Sequence, residues 1–231
     1  MVSLAMVVVA VVELVCVGLL WVRTARAPRV LLLGVVGLGI AYDSAVFGLG
    51  ALIGEGTVLH GLSVGRFVGH ALLTPLLVLW AVDRVGASVR WRRAAVVLTV
   101  ILVGWGLIGE LAHLRLVPRR FADTLRYAGE TPAVPIPALV VTVVLLAAGT
   151  ILWRADGLRF PLLGIALLVV ASGAAALCPP LGNVGEAIML AALVGAELVL
   201  SGRNSSDSGK GPAQGEPSDS RNSSPTPPTA S

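Results

Sequence analysis

Long apolar runs separated by short arginine-bearing gaps leave this chain few ways to fold. A hydrocarbon core about 30 Å thick takes roughly 17 to 25 helical residues to cross. Seven segments have that length, near residues 3 to 22, 30 to 54, 66 to 83, 94 to 114, 136 to 153, 161 to 177 and 184 to 201. The expectation is an all-α, polytopic membrane bundle of about seven transmembrane helices, or six if two segments merge or one lies in the interface. Its surroundings are then the lipid bilayer of the cell membrane. The composition agrees, since 56% of the 231 residues are hydrophobic and only 13% are charged, which is not the balance of a water-soluble domain.

The first segment has to be distinguished from a cleaved signal peptide, because Ala25-Arg26-Ala27 resembles a small-residue cleavage site. It lacks a basic leader and Glu13 interrupts its long apolar run, so it reads as a retained helix. Orientation follows from the arginines. With the N-terminus outside, the inner gaps hold nine (Arg23, Arg26, Arg29, Arg84, Arg90, Arg92, Arg93, Arg154 and Arg159) and the outer gaps five (Arg66, Arg115, Arg119, Arg120 and Arg126). The positive-inside rule therefore favours N-terminus outside and C-terminus inside. The net charge of +4 is spent on these topology signals, which argues against nucleic acid as a partner. Trp21, Trp80, Trp91 and Trp153 fall at the inner boundary, as an interfacial belt would, while Trp105 lies deeper.

Residues 115 to 135 form the longest connection. Phe121 and Leu125 recur there at helical spacing among Arg119, Arg120 and Arg126, which fits a short basic amphipathic helix on the outer surface, the alternative being a solvated loop. After Ser201 the sequence turns to Ser, Gly, Pro, Asn and Asp, so residues 1 to 201 read as the bundle and 202 to 231 as a disordered cytoplasmic tail.

Against this apolar background the ionisable residues stand out. Asp43 sits in mid-segment with Tyr42 beside it, and a carboxyl at membrane depth costs about 2.5 to 3.5 kcal/mol, so it needs a partner and a purpose. Gly39, Asp43, Gly50 and Gly54 share one stripe of the second helix, where small residues admit a close neighbour and turn Asp43 inward. Glu110 and His113 lie near the outer end of the fourth helix, His70 one turn into the third, and Glu186 at the outer end of the seventh. Three carboxyls on different helices at similar depth, Asp43, Glu110 and Glu186, point to a polar pocket in the outer half. Glu13 and Glu197 lie in the inner half, where helix-to-helix bonding and function are both open. Glu55 and His60 fall in a short outer turn.

A desolvated carboxylic acid can donate a proton while a second carboxylate or a histidine accepts one, which is the chemistry of an intramembrane acid–base enzyme acting on a lipophilic small molecule. Asp43 is the expected donor with Glu186 or Glu110 as partner, and Tyr42, Phe67, His70, Trp105 and His113 are candidates for substrate contact. Seven helices in about 200 residues, with acids in an early and a late helix, resemble the small membrane-bound terpene cyclases. The resemblance is one of architecture. It implies carboxylic-acid initiation on an isoprenoid, which Asp43 and Glu186 could supply; the low aromatic content, 5%, departs from what cationic intermediates favour.

A carrier or structural subunit is the alternative, since buried carboxyls serve those as well. A metal-dependent lipid hydrolase would draw on His60, His70 and His113 with Asp43 and Glu110, but the last helix lacks the paired histidines that seven-helix hydrolases of the ceramidase-like group carry, so no metal site and no cofactor is assigned. Cys16 and Cys178 sit in different runs and form no metal motif. A retinal Schiff base needs an intramembrane lysine and the single lysine is Lys210, so retinal is excluded; no phosphate-binding GxxxxGK[ST] loop occurs either.

Overall fold

Proline and glycine punctuate the apolar runs and set where each helix begins and ends. The computed structural model describes residues 1 to 24, 27 to 112, 114 to 131 and 135 to 208, with the backbone alone for Glu110 and for residues 204 to 208. Helix α1 spans Val2–Arg23, and α2 spans Pro28–Ile53 with Pro28 in its first turn, where the missing N–H costs nothing. α3 (Thr57–Leu73) and α4 (Leu76–Arg84) form one span broken at Thr74-Pro75. α5 (Val89–Trp105) continues into a π-helical turn, Gly106–Leu111. α6 (Ile136–Asp156) stops at Gly157, whose φ of 73° is the left-handed conformation that ends helices. α7 (Phe160–Ala174) and α8 (Pro180–Ser208) follow.

Six of these spans are long and apolar enough to cross a membrane, and α7, at 15 residues, is the short seventh. At about 1.5 Å per residue it rises roughly 22 Å. It ends before residue 177 because Pro179 and Pro180 forbid its continuation. The third span starts at Thr57, nine residues earlier than its hydropathy indicates, since Gly61, Ser63 and Gly65 dilute the apolar signal without breaking the helix. α8 likewise runs through Ser208, past the boundary at 201; residues 209 to 231 lie outside the described part.

The all-α expectation fails in one place. Residues 116 to 129 form an antiparallel hairpin, β1 (Leu116–Phe121) and β2 (Thr124–Gly129), and not an amphipathic helix. Phe121 pairs with Thr124 across the two-residue turn Ala122-Asp123, so the four-residue step from Phe121 to Leu125 comes from a chain reversal. Spacing alone cannot separate the two cases. Pro118, which has no N–H, fits because a two-stranded sheet consists of edges.

α2 lies at the centre, packed against α1, α3, α4, α8 and β2. Leu20, Leu33, Trp80, Leu145, Leu190 and Leu193 build the main core around it, all at most 1% exposed. Leu4, Val100, Val143 and Val170 are more than 60% exposed, so the outward faces of α1, α5, α6 and α7 are apolar as lipid contact requires. On the glycine stripe of α2, a Cβ at Gly50 would lie 1.8 Å from the Leu125 carbonyl oxygen and one at Gly39 would lie 2.5 Å from Leu73. These glycines admit the hairpin and the third span. Gly54, with nothing near it, instead ends α2 at a φ of 81°.

At the end of the bundle away from the hairpin, a fully buried Glu197 accepts a hydrogen bond from Trp80 Nε1 at 3.0 Å and pairs with Arg29 Nε at 3.4 Å and an Arg84 guanidinium nitrogen at 3.6 Å. Asp83 pairs with Arg29 and Arg92 beside it. Glu197 thus fastens α2, α4 and α8 together. Trp80, 1% exposed, belongs to this clamp and not to an interfacial belt, whereas Trp21, Trp91 and Trp153 are exposed.

Candidate functional site

Asp43 stands on α2 one helical repeat beyond Val36, so Val36, Gly39, Ile40 and Asp43 present one face. On α3, Arg66, Gly69, His70 and Leu73 do the same. The two faces, with Thr74 and with Glu186 from α8, line a cleft of about 30 Å³. That is room for about two waters at 10 to 15 Å³ each. Gly39 and Gly69 leave the space, and the charged side chains fill its rim.

The partner that Asp43 requires is Arg66, whose Nε donates to Asp43 Oδ1. Asn183, 5% exposed on α8, donates to Asp43 Oδ2 at 2.6 Å and to Ser44 Oγ at 3.3 Å. Both carboxylate oxygens of Asp43 are therefore occupied by donors from two other helices. Glu186 lies three residues beyond Asn183, on the same face of α8, and makes no hydrogen bond or ion pair among the described residues. His70, one turn from Arg66, lines the cleft and is exposed.

Glu13 approaches the same cluster from α1. It is fully buried and faces Ser44 and Asp43, Ser44 being its nearest polar neighbour although the two are not within hydrogen-bonding geometry. Its place is therefore beside Asp43 and not at the Glu197 end of the bundle, where its sequence position would put it. Six polar or ionisable side chains from four helices, Glu13, Asp43, Arg66, His70, Asn183 and Glu186, thus converge on one region.

The hairpin closes one end of this region. Leu125 buries itself against Val46 and Leu59, the Tyr127 N–H donates to Ser63 Oγ at 3.4 Å, and the His60 ring meets Tyr127 edge-on at 5.1 Å. His60 thus lies in α3 and not in a turn; it is exposed, with its ring against the hairpin. Asp123 accepts from the backbone N–H groups of Val2 at 2.8 Å and Ser3 at 3.3 Å and pairs with the Met1 ammonium, so the turn caps α1. That ammonium, followed by the backbone N–H groups, holds the Asp123 carboxyl down at about 2.

Of the residues singled out in the sequence, Asp43, His70 and Glu186 meet in the cleft. Tyr42 does not line it. Its hydroxyl donates to the Leu62 carbonyl at 2.9 Å and rests on Gly65, fastening α2 to α3. Phe67 and the half-exposed Trp105 are not among its lining residues either. The Glu110 side chain and His113 lie outside the described residues, so their expected places in the pocket do too. Among the described residues no three His, Cys, Asp or Glu side chains are grouped to hold a metal ion.

Arg66 and Asn183 are the site residues that hydropathy hides. With the third helix begun at residue 66, Arg66 counts as a loop cation; once the helix begins at Thr57, Arg66 and His70 stand one turn apart on the face of α3 that lines the cleft. Asn183 and Glu186, three apart after a Pro-Pro stop, carry the corresponding signal on α8. Compared with protein-family models, with curated proteins and with solved structures, the chain matches none.

Proposed function

We propose that this chain is an intramembrane enzyme that performs carboxyl acid–base chemistry on a lipophilic molecule. The carrying observation is the convergence of Asp43, Arg66, His70 and Glu186 on one cleft between three helices. The hydrogen bonding supports a division of roles among them. Each oxygen of Asp43 accepts one hydrogen bond, from Arg66 and from Asn183, and the pairing with the Arg66 guanidinium suits Asp43 to serve as a fixed negative anchor. Glu186, with no such donors, is the proton donor, and His70 at the open side of the cleft is the acceptor. An isoprenoid substrate, as in terpene cyclases, is the finer form of this proposal.

The orientation proposed is N-terminus and hairpin outside, with the residues after α8 in the cytoplasm of a cell-membrane protein. Arg66 stands nine residues inside α3 and so leaves the outer count at four, while the inner arginines that fall in helices stay close to the helix ends. That strengthens the positive-inside signal.

The test compares lipid extracts, by mass spectrometry, from cells with the gene, without it, and with Glu186→Gln. A prenyl or lipid species that appears with the gene and falls about 100-fold or more in the variant supports the assignment, that being the usual cost of losing a general acid. Identical extracts in all three overturn it. A proton-coupled carrier is the second reading, favoured by the size of the cleft, which holds a few waters more readily than a prenyl chain. Proton uptake into vesicles that is lost with Glu186→Gln would establish that instead.

A further inference from the structure

The fold gathers positive charge at the outer end of the cleft and leaves part of it unanswered. β2 lies against α2 and α3, and this brings the Arg126 guanidinium 4.5 Å above the ring centroid of Phe47. Phe47 is one turn beyond Asp43, about 6 Å along α2. Arg126 is partly buried, forms no hydrogen bond or ion pair among the described residues, and feels the charges of Arg66 and Asp43. Loss of water first, and then the nearby Arg66, push its guanidinium down to about 10.

Of the carboxyls nearby, Glu186 is the proton donor of the acid–base reading, Glu13 on α1 lies behind Ser44, and the two others are already paired. Asp43 is taken by Arg66 and Asn183, and Asp123 by the start of α1. Arg119 stands directly opposite Arg126 in the hairpin register, so the two share a face of the sheet. Like charges placed opposite one another destabilise a strand pair. Phe47 offsets part of the cost, because a cation over an aromatic face is attracted to it. A ring cannot neutralise it. Arg66 and Arg126 feel each other's charge, and Arg119, which donates to the Glu130 carbonyl at 3.4 Å, stands opposite Arg126 in the register; such a grouping is complementary to a multiply charged anion, and the planar fork of arginine matches phosphate oxygens.

We propose that Arg126, Arg66 and Arg119 form a receptor for a phosphate group at the outer mouth of the cleft. Resting on the acid–base reading, this deepens it: the substrate is a lipophile with a phosphorylated head, held by the hairpin while its chain meets Glu186. Free phosphate shares the same chemistry, so the test separates the two sources.

The full chain in dodecyl maltoside micelles is titrated calorimetrically with dodecyl phosphate, with inorganic phosphate and with dodecanol. Saturable binding of dodecyl phosphate, at least tenfold weaker in Arg126→Gln, supports the receptor; Arg126→Lys, which keeps the charge and loses the fork, falls between. Inorganic phosphate binding as tightly as dodecyl phosphate would support the receptor and overturn the lipid source. Dodecanol binding equally well, or Arg126→Gln binding with unchanged affinity, overturns the proposal. If Arg126→Gln fails to fold, Arg119→Gln at its exposed position decides, with weakening expected and no change overturning. Glu186→Gln is expected to bind dodecyl phosphate normally, so a failure of the acid–base assignment is read in turnover and a failure of the receptor in binding.

Discussion

Asn183 on α8 reaches Asp43 on α2 with a 2.6 Å hydrogen bond that spans 140 positions of sequence, and the same amide nitrogen touches Ser44 at 3.3 Å. One buried side chain therefore ties two helices together and engages one of the two oxygens of the central carboxylate. Asn183→Leu removes both bonds and leaves Asp43 Oδ2 unsatisfied. The expected loss is about 1 to 3 kcal/mol, seen as a lower midpoint of unfolding in detergent. An unchanged midpoint would show that α8 is held without it.

The Asp43–Arg66 pair should behave as a unit. Arg66→Gln strands a carboxylate in the bundle, at a cost of about 3 to 5 kcal/mol, whereas Asp43→Asn with Arg66→Gln leaves two neutral groups that can bond each other. The double variant is expected to be more stable than Arg66→Gln alone. Strict additivity in this double-mutant cycle would show that the two charges do not depend on each other.

Gly50 sets how closely the hairpin approaches. Gly50→Ala places a methyl group 1.8 Å from the Leu125 carbonyl oxygen, a backbone atom, so β2 must lift away from α2. The overpacking cost is about 1 to 3 kcal/mol. Faster amide hydrogen exchange in Thr124–Gly129, with α6 to α8 unaffected, is the expected signature. Unchanged exchange in β2 would mean that the hairpin is not seated on Gly50.

The Asp123 carboxyl, held at about 2 against an ordinary value of 3.8, makes the capping of α1 pH-dependent. Because its folded value is the lower one, the stabilisation is complete above about 4 and is lost as pH falls through about 2. A carbon-13 titration of the Asp123 carboxyl should have its midpoint near 2, moving to the ordinary range when the N-terminal amine is acetylated. A midpoint near 3.8 before acetylation would refute the contact.

At the other end, Glu197→Gln keeps the shape of the clamp and removes its charge from Arg29 and Arg84. Trp80, whose indole N–H donates to Glu197, is the natural reporter. A shift in its fluorescence and a loss of about 1.5 to 3 kcal/mol are expected, the range for a hydrogen bond to a charged group. No change in either would mean that the core around Trp80 alone holds this end.

Hydropathy makes the spans legible because lipid exposure demands apolar side chains over a fixed length, and that demand is local. The site is only half legible for the opposite reason. Asp43 and Glu186 declare themselves by being charged within apolar runs, but the guanidinium that answers Asp43 lies in a stretch weakened by Gly61, Ser63 and Gly65, where composition hides the helix. Trp80 shows the same limit, since an indole near a helix end looks alike whether it faces lipid headgroups or a buried glutamate. The hairpin is hidden for a geometric reason, because a two-residue reversal spaces Phe121 and Leu125 as a helical turn would.

The break at Thr74-Pro75 divides one membrane span between two tasks. Below it, Trp80 and Arg84 are anchored to Glu197; above it, Arg66, His70 and Thr74 form a wall of the cleft. Pro75 has no N–H to return to the Ala71 carbonyl, so the helical ladder does not run through the joint, and the Pro75 carbonyl accepts sideways from Thr99 Oγ1 at 3.3 Å. The two halves of one helix therefore answer to different partners: the lower is tied to the Glu197 clamp, and the upper, through Leu62, Ser63 and Arg66, to Tyr42, the hairpin and Asp43.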